Sequence, residues 1–139
     1  MRITSQDNAA FFSLKRTGID AGGSVRARVR LKGHGFEGSN RSVYFDREAI
    51  KGFRAELEQL ERNRQGNASL ISLSPGECVF TIGAVDRLGH IHVKGAVRKV
   101  VLRFGEIDHF ECRLRFEIDP TRLPHLLREL SEELVVRLV

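Results

Sequence analysis

The chain has 139 residues, a formal net charge of +5 and a pI of about 9.8, with 41% hydrophobic and 29% charged residues. A chain of this length buries enough surface to fold without a metal or a disulfide, and no run approaches the roughly 18 apolar residues needed to cross a bilayer. The N-terminal stretch MRITSQDNAA lacks the apolar segment of a signal peptide, so a cytoplasmic location is expected.

The first periodic segment, Ala10 to Arg16, reads as a strand, and Ile19 to Gly23 as a turn. Ser24 to Lys32, SVRARVRLK, alternates strictly. Val25, Ala27, Val29 and Leu31 face one way, and Arg26, Arg28, Arg30 and Lys32 the other, which is the pattern of a half-buried antiparallel strand. A further strand from Phe36 to Phe45 is interrupted around Gly38, Ser39 and Asn40.

At Asp46 the period becomes helical. Asp46 is placed to cap the first turn with its carboxylate. Ile50, Phe53, Leu57 and Leu60 form the apolar stripe, and Gly66 is placed to end the helix. Strands follow over Ala68 to Leu73 and Cys78 to Val85, then a turn at Asp86-Arg87-Leu88-Gly89. A long strand runs to Phe104, with Gly105-Glu106-Ile107 as the loop into a last strand, Asp108 to Ile118. In that strand Phe110, Cys112, Leu114, Phe116 and Ile118 take the buried phase. Asp119-Pro120 starts a closing helix, with Asp119 as N-cap and a stripe of Leu123, Leu127, Leu130, Leu134 and Leu138 flanked by Leu126. No linker divides the chain. The order of elements indicates one α+β domain over residues 1–139, an antiparallel sheet covered on one face by the mid-chain and C-terminal helices.

Residues 89–95, GHIHVKG, place His90 and His92 two apart, a spacing that metal sites use. The turn before them pairs Ala84 with Ile91, Ile82 with Val93 and Phe80 with Gly95, so Ile91 and Val93 enter the core. His90, His92 and Lys94 share the wet face. A third ligand is missing from that reading. The loop at 105–107 sets Leu102 opposite Phe110 and Val100 opposite Cys112, and the apolar phase changes from odd to even after Val97. That change is read as a bulge near Arg98-Lys99, and His109 then falls near Arg103, out of ligand reach. Gly95 is expected to lie beneath the ring of Phe80. The two cysteines, Cys78 and Cys112, have no CxxC partner and read as buried thiols.

The stripe Arg26, Arg28, Arg30 and Lys32 has alternate residues about 6.8 Å apart, close to phosphate spacing. Base-stacking aromatics are expected to be missing from this face, and carboxylates on neighbouring strands to pair part of it. The sequence has no GxSxG, HExxH, P-loop or GxGxxG motif, and Ser13, Ser69 and Ser72 have no readable base. No catalytic residue, metal or cofactor is therefore assigned.

The run GHIHVKGAVRK, the hairpin after it and FEIDPTRLPHLLREL resemble the WapI-like family of small bacterial immunity proteins and its uncharacterised relatives. The order of elements agrees along nearly the whole chain, and the motifs encode structure rather than catalysis. The resemblance implies a non-enzymatic partner that binds and neutralises a toxin domain. The surface expected to meet a protein or an anion comprises Arg26, Arg28, Arg30, Lys32, His90, His92 and Lys94. The alternative reading is a basic nucleic-acid-binding module that uses the Arg/Lys stripe.

Overall fold

The computed structural model describes residues 1–134. Four strands, β1 (Arg2–Thr4), β2 (Ala10–Ile19), β3 (Val25–Gly33) and β4 (Phe36–Phe45), form an antiparallel meander. Helix α1 (Arg47–Asn63) leads to a second meander of β5 (Asn67–Ile71), β6 (Cys78–Ala84), β7 (Ile91–Arg103) and β8 (Glu106–Ile118). A 3-10 turn, Pro120–Arg122, runs into α2 (Leu123–Glu133). The α+β class and both helices are those indicated by the periodicity. The strands are divided between two four-stranded sheets, because each meander has an apolar face and the two faces cover each other.

The strand alternation explains that meeting. Phe12, Leu14, Val25, Ala27, Val29 and Leu31 from the first sheet, and Phe80, Ile82, Ile91 and Val93 from the second, are all buried in one cluster. The rings of Phe12 and Phe80 stack with centroids 4.1 Å apart, and Phe53 of α1 meets Phe80 edge-on at 5.8 Å. One ring thus joins both sheets and the helix. Ile50, Leu57 and Leu60 of α1 and Leu123, Leu126, Leu130 and Leu134 enter the same core. The expected Leu138 lies outside the described residues.

The second sheet runs steeply across the first. Along β8, Cys112 abuts Gly38 of β4, while the Glu117 carbonyl accepts from the amide of Gln6, just past β1. Five residues of one strand therefore traverse the width of the other sheet, a geometry close to orthogonal packing. Such crossing leaves little room against the facing sheet at two glycines. A Cβ on Gly38 would collide with Cβ of Cys112, and one on Gly95 would lie 3.1 Å from Leu31 and 3.2 Å from Phe12. Gly95 pairs with Phe80 as the turn indicates, but the facing sheet, rather than the Phe80 ring, is what leaves it no room.

Three local expectations are corrected. Asp46 occupies the N-cap with no side-chain capping bond, so its backbone carbonyl, bonded by Ile50, starts the helix. Helix α1 ends at Arg64, in the left-handed conformation (φ 55°), before Gly66 is reached. Its guanidinium donates to the Pro120 carbonyl at 3.0 Å, a long-range tie that local sequence does not reveal. Around Gly38 to Asn40, β4 is continuous, and the irregularity is a bulge that sets Arg41 and Ser42 opposite Arg28. Asp119 caps as expected, accepting from the Thr121 amide at 3.0 Å.

Replacing Gly38 by Ala is expected to lower stability by about 1–3 kcal/mol through overpacking. Gly52→Ala, on an open α1 position, is expected to raise it by about 0.5–1 kcal/mol. Urea unfolding of the two variants checks both signs, and equal effects would contradict the close sheet contact at Gly38.

Candidate functional site

The two groups of residues singled out from sequence lie on different faces of the molecule. Arg26, Arg28, Arg30 and Lys32 project from the outer face of the first sheet, since Val25, Ala27, Val29 and Leu31 are buried on the inner one. His90, His92 and Lys94 lie on the outer face of the second, opposite the buried Ile91 and Val93. The structure does not bring the two sets together.

On the first sheet the basic character spreads beyond β3. Lys15 of β2 stands directly opposite Arg28, and the β4 bulge puts Arg41 and Ser42 on the other side of Arg28. Arg2 of β1 pairs with Ser13, next to Arg30, and lays its guanidinium 4.1 Å above the Phe11 ring. Glu37 bonds Arg30 at 2.8 Å, and its carboxyl is held below the ordinary value by that bond. This is the one ion pair formed by the stripe among the described residues, so the expected partial pairing with carboxylates of neighbouring strands is met at Arg30 alone. Nor are aromatics missing. Phe11 pairs with Lys32 and Tyr44 with Arg26, both half-buried on this face. Their signal was legible: Phe11 precedes the inward Phe12, and Tyr44 sits between the inward Val43 and Phe45.

On the second sheet His92 stands opposite Gly83 and Glu117, and Lys94 opposite Thr81 and Arg115. The paired turn reading is correct through Val85, whose amide donates to the His90 carbonyl. The two histidines have different partners. Nδ1 of His90 meets Asp86 Oδ2 at 2.5 Å, and that carboxylate raises the His90 pKa. Asp86 also accepts from the Leu88 amide, which fixes the turn. His92 bonds Arg115 at 2.6 Å, and desolvation followed by the Arg115 charge lowers its pKa. His109 is opposite Val100 rather than near Arg103, about eight residues and 27 Å along β8 from the His92 row. Among the described residues no group of three His, Cys, Asp or Glu side chains is placed to hold a metal ion. Cys78 is fully buried, which pushes its thiol up to about 12, and the half-buried Cys112 is also raised by desolvation.

The largest departure from the sequence reading is at the far end of β7 and β8. The expected bulge near Arg98-Lys99 is absent, and the pairing continues unbroken from Ile91↔Ile118 to Arg103↔Glu106. The turn is two residues, Phe104-Gly105, both at positive φ (51° and 79°), a type I′ arrangement. That shortens the assumed loop, so Leu102 pairs with Ile107, and Val97 with Cys112. Strand β6 stops pairing at Val97, and the backbone of Arg98 is tied to Glu77 and to the buried side chain of Asn40. From Lys99 to Phe110 the hairpin is a free two-stranded arm about 17 Å long. Val100, Leu102 (76% exposed), Ile107, Phe110 and Phe104 (101%) are therefore open to solvent rather than buried. The change of apolar phase marks an exposed face, and Phe110 lies beyond the edge of the core.

These features define an α+β protein whose distinctive chemistry lies on open surfaces: one basic sheet face and one apolar arm. Among the described residues no helix is long and apolar enough to cross a membrane. The immunity protein WapI-like family model matches residues 4–136, and the chain belongs to that family. No curated protein and no solved structure matches it.

The opposite shifts of the two histidines separate them in titration. The His90–Asp86 pair contributes to stability fully between the ordinary values of 3.8 for Asp86 and 6.5 for His90. That contribution is lost as pH rises through the raised His90 value or falls through the lowered Asp86 value. In an NMR titration His90 is expected to deprotonate at higher pH than His92, and Asp86→Asn to move the His90 midpoint down. Coincident midpoints would contradict the pairing.

Proposed function

We propose that this protein is a non-enzymatic, cytoplasmic binding partner of the immunity kind, which recognises and neutralises a toxin domain. Membership of the WapI-like family over residues 4–136 supports the class of function. The exposed Phe104 is the observation that carries the choice of surface. A bulky residue at positive φ is strained, and the turn would be better served by Asn or Asp. With full exposure, Phe104 returns no packing to the fold. A strained aromatic at the tip of a protruding arm matches the profile of a binding anchor.

Val100, Leu102 and Ile107 extend the apolar contact along one side of the arm. The unpaired strand edges offer backbone donors and acceptors to a partner. His90, His92 and Lys94 lie farther along the outer face of the same β7–β8 ladder and continue the surface as a polar margin. Apolar centre and polar rim is the arrangement of protein–protein contacts.

A toxin domain is expected to be encoded beside its gene, and co-expression with it to yield a stable stoichiometric complex and to restore growth. Phe104→Asn is expected to leave thermal stability equal or higher and to weaken the complex by about 2 kcal/mol or more. An unchanged affinity would remove the arm from the interface. Failure to bind any neighbouring product would overturn the immunity reading itself.

A further inference from the structure

We propose that the outer face of the first sheet is a binding site for single-stranded nucleic acid, independent of the arm. The face carries Arg2, Lys15, Arg26, Arg28, Arg30, Lys32 and Arg41, with Glu37 as the single opposing carboxylate along the stripe among the described residues. Its central row is Lys15, Arg28 and Arg41, three cations on adjacent strands. Like charges directly opposite one another destabilise a sheet, so the fold gains nothing by gathering them. An anion laid across the row would reverse the sign of that repulsion.

The arrangement suits a linear polyanion better than an acidic protein face. Arg26, Arg28, Arg30 and Lys32 stand in single file at about 6.8 Å intervals, close to the repeat of phosphates along an unpaired strand. Three of the four are arginines, whose planar forks take phosphate oxygens two at a time. The file ends beside an aromatic at each extremity, Phe11 next to Lys32 and Tyr44 next to Arg26. The Arg2 guanidinium is already held over Phe11 at 4.1 Å, and a guanidinium offers a plane on which a base can stack. Open sheet faces with aromatics and cations take unpaired bases rather than a duplex. A protein interface would need an apolar centre, and four exposed apolar residues, Val100, Leu102, Phe104 and Ile107, are grouped on the arm instead.

The test uses the full chain and labelled single-stranded RNA and DNA of about 15 nucleotides, read by fluorescence anisotropy. With about four phosphates engaged, affinity is expected to fall about 50-fold between roughly 50 and 200 mM salt. Lys15→Gln with Arg28→Gln removes a repulsive pair, so folding is preserved, while binding is expected to drop at least about tenfold and the log–log salt slope to lose about 1.4. Phe104→Asn is expected to change neither value. No binding at low salt, salt-insensitive binding, or full affinity in the double variant would each overturn the site. Equally tight binding of poly-glutamate, with no preference for the oligonucleotide, would overturn the nucleic-acid assignment in favour of an acidic protein.

Discussion

The ring of Phe80 is the contact on which the rest of the structure depends. It stacks on Phe12 from the facing sheet and receives the edge of Phe53 from α1. Each meander has a largely apolar face that must be covered. Bringing those faces together at a steep angle presses Cys112 against Gly38 and the Leu31 and Phe12 side chains against Gly95, and leaves α1 and α2 to complete the same core. Everything that reaches solvent in an organised way follows from that crossing. The outer face of one sheet is left to the cations, and the overhang of the other becomes the arm.

The periodic segments were legible because their physics is local. Alternation in SVRARVRLK separates buried from basic positions residue by residue, and the Asp86 turn sets the register of the histidine strand correctly. Pairings between the sheets were not legible. Whether eight strands make one sheet or two depends on contacts between residues as distant as Gly38 and Cys112, which no local pattern encodes. The same is true of Arg64 reaching Pro120. At the arm the error had a different origin. Treating every apolar alternation as core required a bulge to keep Val100 and Leu102 inside. The unbroken ladder turns them outward, so the phase change is a signal about surface rather than packing.

For the surfaces, sequence located the residues and structure supplied their neighbours. The Arg/Lys stripe was visible along β3, but Lys15, Arg41 and Arg2 join it through lateral pairing and a bulge. Likewise His90 and His92 were rightly placed on one wet face, yet their partners Asp86 and Arg115 give them opposite tendencies toward protonation. A two-residue spacing says where side chains emerge; the partners decide what they do.

The continuous ladder of β7 and β8 has an evolutionary corollary. Within the core segment a slip of one residue would turn Ile91, Val93 and Val97 outward, so that portion is locked. Beyond Arg98 no third strand among the described residues reads the register. One residue inserted in each strand of the arm would leave the base untouched and rotate Val100, Leu102 and Ile107 to the opposite side. A paired insertion thus turns the exposed apolar face in a segment the core does not sense. The fold contains a segment whose exposed surface can change while the scaffold stays constant.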